Sequence, residues 1–235
     1  MQFSEWEPIY AEILADFGFS REEDEVAARL LQSLLLGRKG DLSIKELASM
    51  IRERRVLVCG NGPSLPKGLA EALGGGQGSP EPSKRGDPVI IAADGATTAI
   101  LAVGALPDVI VTDLDGFMPD ILAANGLGSA AVVHAHGDNL AALREYVPKL
   151  TKVLATTQAA PLEGVYNFGG FTDGDRAVFL ARRFGAKEIR MVGFDYDDPT
   201  VTAKKKKKLA WARRLVAIAL VDRPDPPAAQ AFVRI

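Results

Sequence analysis

Cysteine and histidine are scarce in this sequence, with one cysteine and two histidines among 235 residues. The single cysteine, Cys59, excludes an intramolecular disulfide and a zinc site built on several cysteines, and it is typical of a chain from a reducing compartment. Because Leu57 and Val58 precede it, we expect a buried thiol on a strand and not a reactive one.

Long apolar runs and an excess of charge of either sign are also missing. No apolar run reaches the ~20 residues needed to cross a bilayer, and the acidic, amphipathic N-terminal segment does not resemble a signal peptide. Lys and Arg total 28 against 30 Asp and Glu, so no general electrostatic field favours nucleic acid or an anionic membrane. We therefore expect a cytoplasmic protein with no nucleic-acid or membrane partner.

The first 54 residues have the pattern of amphipathic helices. Apolar side chains recur there at the helical spacings of three and four residues: Phe3, Trp6, Ile9, Tyr10 and Ile13. Ser20 and Glu23 have the spacing of a capping box, which predicts that a second helix begins there, and Gly37 ends it. We predict that residues 1–54 form a helical cap packed on the main domain.

From Arg55 onward, short apolar runs rich in β-branched residues alternate with helix-like stretches. The runs lie at residues 56–59, 89–93, 109–112, 131–134, 153–156 and 189–193. The alternation predicts an α/β domain at 55–235, with a Rossmann-like, mostly parallel sheet flanked by helices. The stretch 74–87, rich in Gly, Pro and Ser, predicts a surface loop. Ligands bind such sheets outside the carboxyl ends of the strands, so the polar residues after each run are the candidate site residues.

A turn with two glycines follows the first run. The residues expected to bind phosphate there are Gly60, Asn61, Gly62 and Ser64. Glycine lets the backbone approach a ligand closely, and we expect Ser64 to cap the next helix, whose N-terminus attracts phosphate. The turn is neither a dinucleotide fingerprint nor a Walker loop, so a purely structural turn is the alternative. After the second run, Asp94 and Gly95 are either a helix cap or a nucleotide contact.

Carboxylates follow the third and fourth runs. Asp113 and Asp115 are two residues apart, so in an extended segment they project from the same side and can converge on one Mg²⁺. A surface turn is the alternative. Asp138 follows the fourth run and either caps the next helix or joins the acidic pair. His134 and His136 suggest a zinc or manganese site, a minor alternative because no third histidine completes it.

A polar, aromatic and glycine-rich stretch precedes the next predicted helix. The residues expected to bind the substrate, there and at the end of the fifth run, are Gln158, Asn167, Phe171, Asp173, Asp175 and Arg176. Phe168 and Phe171 can sandwich a flat heterocycle while Asn167 and Asp173 read its edge. The alternative is a tight loop with two core phenylalanines and Asp173 as a helix cap.

Five consecutive lysines, residues 204–208, stand out in a charge-balanced chain. We expect them to precede a helix that begins at Leu209, with most of them in solvent. An acidic metal site together with a basic cluster suits a polyphosphate. We therefore expect Lys207 and Lys208 to hold phosphate groups.

The acidic segments resemble those of the thiamine pyrophosphokinases. Ala93-Asp-Gly-Ala-Thr and Pro107-Asp-Val-Ile-Val-Thr-Asp-Leu-Asp-Gly are similar to the Asp-Gly-Gly-Ala, Pro-Asp and Gly-Asp-x-Asp-Ser segments of that family, in the same order. Two departures weaken a thiamine assignment. Gly116 stands in place of the serine after the acidic pair, and that family has no counterpart of residues 167–176.

Three other segments look like those of the archaeal 6-hydroxymethyl-7,8-dihydropterin pyrophosphokinases of the MptE type. They are Gly60-Asn-Gly-Pro-Ser-Leu, His134-Ala-His-Gly-Asp-Asn and Asn167-Phe-Gly-Gly-Phe-Thr-Asp-Gly-Asp-Arg. This resemblance spans about Val56 to Arg214, and the N-terminal helices are also typical of that family.

The pterin resemblance implies a magnesium-dependent enzyme that transfers diphosphate from ATP to the hydroxymethyl group of the pterin and releases AMP, on the route to folate or tetrahydromethanopterin. Carried over by position, Asp113 and Asp115 match the metal pair, Asp138 a third acidic ligand and Asp94 a nucleotide-side aspartate. Asp138 or Asp175 would accept the hydroxyl proton.

The expected partners are therefore ATP and a pterin, and homologous enzymes suggest a homodimer. Two alternatives stay open: diphosphate transfer to thiamine or another alcohol, and a non-catalytic nucleotide-binding module on the same fold.

Overall fold

A computed structural model describes residues 1–73 and 88–221; the predicted surface loop at 74–87 lies outside them. The strands are β1 (Arg55–Cys59), β2 (Val89–Ala93), β3 (Val109–Thr112), β4 (Ala130–Ala135), β5 (Val153–Thr157), β6 (Val165–Tyr166) and β7 (Glu188–Val192). They form one parallel sheet in the order β6-β5-β4-β3-β2-β1-β7. The predicted α/β fold with a mostly parallel sheet is confirmed. β6 adds to the predicted strands, because two residues are too few to form a recognisable run.

Helices cover both faces of the sheet. They are α1 (Phe3–Phe17), α2 (Arg21–Leu35), α3 (Ile44–Ile51), α4 (Leu65–Ala72), α5 (Ala96–Ala102), α6 (Met118–Gly126), α7 (Leu140–Tyr146), α8 (Asp173–Arg183) and α9 (Ala203–Leu220). None of them is long and apolar enough to cross a membrane. The prediction that α9 begins at Leu209 was wrong. It begins before the lysines, because Thr202 caps it and lysine is a good helix former.

The N-terminal helices belong to both helical layers. Leu57 and Cys59 of β1 face the layer that contains α2, whereas Val56 and Val58 face the layer that contains α1 and α3. Ser20 caps α2 by accepting a hydrogen bond from the Glu23 amide, as predicted. Its hydroxyl donates to Glu22, however, and not to Glu23.

The burial of Cys59 follows from this packing. It is fully buried on β1, and burial raises the pKa of its thiol to about 12. The expectation of an unreactive strand thiol agrees with this setting, since the thiolate is the reactive form.

The chain reverses its direction of travel across the sheet at β1, which lies between β2 and β7. In open α/β sheets the crevice outside the carboxyl ends of the strands at such a switch point is the usual place for a ligand. Here the loops after β1 and β7 touch: the amides of Gly60 and Gly62 each donate a 2.9 Å hydrogen bond, to the carbonyls of Val192 and Gly193 respectively. A Cβ atom on Gly60 would lie 2.6 Å from the Gly193 oxygen, so glycine is required for this approach.

Candidate active site

A cavity of about 350 Å³ lies outside the carboxyl edge of the sheet. This volume falls within the range of small-molecule sites. Of the residues expected to contact the nucleotide, it brings together Gly60, Asn61, Gly62, Asp94, Gly95 and Lys208. Of the other predicted residues, its walls include Asp113, Asp115, Phe171, Asp173 and Arg176. The structure therefore brings these predicted residues together around one cavity at this edge of the sheet.

Three aspartates in this cavity converge. One carboxylate oxygen from each of Asp94, Asp113 and Asp115 lies within 4.8 Å of the others. β2 and β3 are adjacent, with Ala93 opposite Val111, so the residues that follow these strands meet at the same level. Asp94 has a left-handed φ of 40°, a conformation that aspartate tolerates better than most residues.

The sequence assigned Asp94 to the nucleotide and Asp138 to the metal, but the structure places these two residues differently. Asp94 lies in the acidic cluster, whereas Asp138 is exposed and lies outside it. Asp138 does not cap the next helix either, because the N-cap of α7 is Asn139.

The pKa values of two carboxyl groups in the acidic cluster, Asp94 and Asp113, shift in opposite directions. Burial, aided by the charges of Asp113 and Asp115, raises the pKa of Asp94 to about 7. For Asp113, burial acts to raise the pKa, but the hydrogen bond from His136 and the charge of Arg176 act more strongly in the opposite direction. The pKa of Asp113 therefore lies below its ordinary value. Three carboxylates this close favour either a shared proton or a cation.

The cluster fits a hard divalent cation. The Oδ1 atom of Asp113 is buried and has no hydrogen-bond partner among residues 1–73 and 88–221, and such an atom is costly unless something binds it. Carboxylate oxygens are the ligands that Mg²⁺ prefers in proteins. Asp94, Asp113 and Asp115 are therefore the residues that can hold such an ion.

The two histidines do not join this cluster. Nε2 of His136 lies 3.1 Å from Oδ2 of Asp113, and its Nδ1 accepts a hydrogen bond from the Asp138 amide at 3.3 Å. Because Nδ1 is an acceptor, Nε2 carries the proton and donates to Asp113. His134 is buried and lies 3.1 Å from the hydroxyl of Thr156. His136 thus orients an aspartate, and the geometry gives no support to the zinc alternative.

Ser64 does not cap α4 with its side chain, contrary to expectation. Its amide and its hydroxyl both donate to Oδ2 of Asp195, at 2.9 and 2.7 Å. Asp195 belongs to the loop after β7, which packs so closely on the loop after β1 that a Cβ on Gly62 would collide with it. The N-terminus of α4 therefore already faces a carboxylate, and Ser64 supports that contact.

Two of the residues expected to bind the substrate hold the protein together instead. Asp175 is fully buried and accepts hydrogen bonds from the amide and hydroxyl of Thr172, at 3.0 and 2.7 Å, as the third residue of a capping box. The side-chain amide of Asn167 donates to the carbonyls of Gln158 and Ala159, at 2.9 and 2.8 Å. Neither side chain is free to contact a substrate in this arrangement.

The predicted phenylalanine sandwich does not form, because the two rings belong to different aromatic clusters. Phe168 stacks on Tyr166 with ring centres 5.9 Å apart. Phe171 contacts Phe17 and Phe19 at 5.1 and 6.4 Å, and its ring lines the large cavity. The aromatic partners of Phe171 therefore come from the end of α1 and the segment that follows it.

A second, smaller cavity of about 40 Å³ adjoins the first. Residues of the N-terminal helical region, which the sequence pattern did not connect with the site, contribute to its walls: Phe19, Ser20, Glu23 and Asp24. Four residues line both cavities, namely Asp113, Phe171, Arg176 and Lys208. The two cavities therefore meet at one carboxylate, one ring and two cations.

The cations at this junction are held in different ways. Arg176 is 8% exposed and donates to Asp173 at 3.1 Å and to Oε1 of Gln158 at 3.2 Å. Lys208 is partly buried, and burial with the charge of Arg176 lowers its pKa. Lys207, also expected to hold phosphate, turns away and pairs with Asp16 at 2.7 Å. Of the two predicted lysines, only Lys208 reaches the site.

Comparisons with known proteins agree with this site. Residues 29–200 match the family model described as 6-hydroxymethylpterin diphosphokinase MptE-like. The 6-hydroxymethyl-7,8-dihydropterin pyrophosphokinase of Pyrococcus furiosus is 44% identical, with 92% of this chain and 93% of the relative covered. Proteins of the same name from Methanothermobacter thermautotrophicus and Methanocaldococcus jannaschii are 42% and 37% identical, with 92% of this chain covered in each case and 94% and 95% of the relatives.

The family model spans well over half of the chain, and the relatives cover nearly all of it. The resemblance inferred from the glycine-rich turn at residues 60–65, the segment 134–139 and the segment 167–176 is confirmed. The chain therefore belongs to the MptE-like family of 6-hydroxymethylpterin diphosphokinases.

Proposed function

We propose that this enzyme transfers the terminal diphosphate of ATP to the hydroxymethyl oxygen of 6-hydroxymethyl-7,8-dihydropterin, with Mg²⁺ as cofactor and AMP as the second product. The observation that carries the proposal is the junction of two cavities at Asp113, Arg176 and Lys208. A carboxylate cluster and two cations at a boundary between two sites suit the transfer of a negatively charged group from one site to the other.

ATP is assigned to the larger cavity. Its volume and its glycine-rich walls suit a nucleotide. The first turns of α9 add a second argument, since they contain lysines and no acidic residue. Cations at a helix N-terminus are unfavourable because the helix dipole is positive there. A polyphosphate beside Lys205 and Lys208, which line this cavity, would relieve that repulsion.

Asp94, Asp113 and Asp115 would hold the Mg²⁺, which supplies neutralisation of phosphate charge when bound. The protein's own groups do the rest. His136 fixes the orientation of Asp113. Arg176 and Lys208 offer hydrogen-bond donors at the same junction, where negative charge on the transferred group needs stabilisation. Phosphoryl-type transfer depends mainly on such positioning and electrostatics.

The pterin is assigned to the smaller cavity. Phe19 and Phe171 form an aromatic wall for a flat ring. Glu23 and Asp138 are exposed carboxylates at its edge, suited to the adjacent N–H donors of the pterin's amino-pyrimidine ring. At about 40 Å³ the cavity must widen to admit a bicyclic ring. Of the two carboxylates considered as proton acceptors, Asp138 lines this cavity, whereas Asp175 is occupied by its cap.

The test is a product assay with ATP and the dihydropterin, in Mg²⁺ and after chelation. We expect AMP and a diphosphorylated pterin in equal amounts, and neither after chelation. Thiamine and simple alcohols as alternative acceptors make the substrate assignment specific. Release of ADP instead of AMP would contradict diphosphate transfer, and equal turnover with thiamine would contradict the pterin assignment.

A further inference from the structure

A buried carboxylate in α2 joins the N-terminal helices to the junction of the cavities. Asp24 is 3% exposed and accepts three hydrogen bonds from three different parts of the fold. The donors are the Tyr10 hydroxyl at 2.6 Å, the side-chain amide of Gln158 at 2.7 Å and the backbone amide of Gly137 at 2.9 Å. A carboxylate is costly to bury unless its oxygens are bonded, and both oxygens of Asp24 are.

This contact fixes which way the Gln158 amide points. A carboxylate can only accept hydrogen bonds, so Gln158 must turn Nε2 toward Asp24 and Oε1 away from it. The outward Oε1 then accepts the 3.2 Å hydrogen bond from Arg176. If residue 24 carried an amide, its own N–H could bond to Oε1. Gln158 could then turn round and present N–H groups to the guanidinium, which would repel them.

Arg176 is the group that gains from this arrangement. It lines both cavities, and its other anchor is Asp173, at 3.1 Å. Asp24 also holds Gly137, the neighbour of His136, which donates to Asp113. One buried carboxylate therefore supports both a cation and an aspartate of the junction.

We propose that Asp24 is a positioning residue for diphosphate transfer, which acts on Arg176 by fixing the amide of Gln158. The inference rests on the proposed function only in that turnover is its main readout. It makes the N-terminal helices part of the active site, although Asp24 acts through other side chains and not on the transferred group itself.

The test exchanges the acid and the amide. In Asp24→Asn the orientation of Gln158 is no longer fixed, and we expect kcat to fall about 10-fold or more, with a smaller change in KM for ATP. Gln158→Glu places a second carboxylate beside that of Asp24, and we expect its kcat to fall as well.

The double variant Asp24→Asn/Gln158→Glu restores a matched pair. The new carboxylate at position 158 accepts from the new amide at position 24 on one oxygen and from Arg176 on the other. The second N–H of that amide is donated to the Tyr10 hydroxyl. We expect the double variant to recover most of the kcat lost by Asp24→Asn, a coupling that only a double-mutant cycle detects.

The matched control is Asp16→Asn, a change of the same kind in the same helical region. Asp16 pairs with Lys207 and Trp211 of α9 and not with the groups that hold Arg176, so kcat should stay at the wild-type value. Thermal midpoints and the folded fraction of each variant are measured beside the kinetics. A purely structural role would lower the midpoint of Asp24→Asn without lowering kcat per folded molecule, and that result would overturn the proposal. So would a double variant that is no better than Asp24→Asn.

A wild-type enzyme without turnover on the pterin would count against the proposed function and not against the role of Asp24. In that case calorimetric titration of the wild type, the two single variants and the double variant with Mg²⁺-ATP gives the answer. We expect affinity to weaken about threefold in Asp24→Asn and to return in the double variant, a difference well within the range of such a measurement. Equal affinity in all four proteins would overturn the positioning role.

Discussion

The hydroxyl of Thr112, at the end of β3, donates a hydrogen bond to Asp94, just past the end of β2. The same hydroxyl accepts a hydrogen bond from the Leu114 amide at 2.8 Å. Its single proton is therefore directed at Asp94, and its lone pair holds the turn that contains Asp113 and Asp115. Thr112 thus connects Asp94 to the turn that contains Asp113 and Asp115, although it is not itself one of the carboxylates.

Replacement of Thr112 by valine should weaken metal binding while the shape of the side chain is kept. Hydrogen bonds to charged groups are worth about 1.5–3 kcal/mol, so we expect a loss of roughly 10-fold or more in the affinity for Mg²⁺ or Mn²⁺ at pH 7. Calorimetric titration measures it. Thr112→Ser, which keeps the hydroxyl, should retain most of the affinity; equal loss in both variants would show that the methyl group matters and not the hydrogen bond.

The raised pKa of Asp94 predicts how the metal-free protein responds to pH. Its folded-state pKa of about 7 lies above the ordinary aspartate value, so the folded state binds this proton more tightly than the unfolded state does. The stabilisation is complete below the ordinary pKa and is lost as pH rises to about 7. We expect the thermal midpoint without metal to fall between pH 5 and pH 8.

Asp94→Asn isolates that contribution. An asparagine oxygen can still accept from Thr112, and the like-charge repulsion is gone. The variant should be more stable than the wild type at pH 8 without metal, by a few degrees, since 1 kcal/mol corresponds to roughly 2–4 °C in a chain of this size. An identical pH profile in the two proteins would show that Asp94 does not titrate in this range.

The lysine run offers a matched pair of variants on one helix. Lys208 lines both cavities. Lys208→Met should therefore lower kcat about 100-fold, because it removes the positive charge that stabilises the negatively charged transferred group. Lys207→Met removes an ion pair and a hydrogen bond with Asp16 and a cation–π contact with Phe17. None of these contacts involves the transferred group, so kcat should stay nearly unchanged. Steady-state kinetics of the two variants checks the assignment, and similar kinetics would refute it.

A glycine is required at position 116 for a steric reason that the sequence did not reveal. A Cβ at this position would collide with the carboxylate of Asp94, so Gly116→Ala should displace Asp94 and lower both metal affinity and turnover, about 10-fold or more. Gly126→Ala is the control, because a Cβ there meets nothing within 4 Å. Normal turnover in Gly116→Ala would indicate that Asp94 can move without consequence.

The sheet and the acidic pair were predictable because both have local signals. Runs such as Val89–Ala93 are short and β-branched, and a parallel sheet brings the residues after its strands to one edge whatever their distance in sequence. The capping role of Asp175 had a signal too: Thr172 and Asp175 have capping-box spacing, but the aromatic and glycine-rich context favoured a substrate role.

Other features had no local signal. Asp24 lies in the first turn of α2 and resembles an ordinary helix-start acid, yet its partner Gln158 is 134 residues away. The opposite orientations of Lys207 and Lys208 depend on what α9 packs against, and one lysine cannot be told from the next by composition. The contact of Ser64 with Asp195 requires the loops after β1 and β7 to meet, which only the strand order decides.

The most direct test of the proposed metal site compares the metal affinity of two single variants, Asp94→Asn and Asp138→Asn. The affinity is measured by calorimetry or from the electron paramagnetic resonance signal of Mn²⁺. The carboxylate of Asp94 lies within the cluster and that of Asp138 does not. We predict that Asp94→Asn loses most of the affinity and that Asp138→Asn keeps the wild-type value, whatever its effect on turnover. Loss of affinity in Asp138→Asn with normal affinity in Asp94→Asn would contradict this assignment.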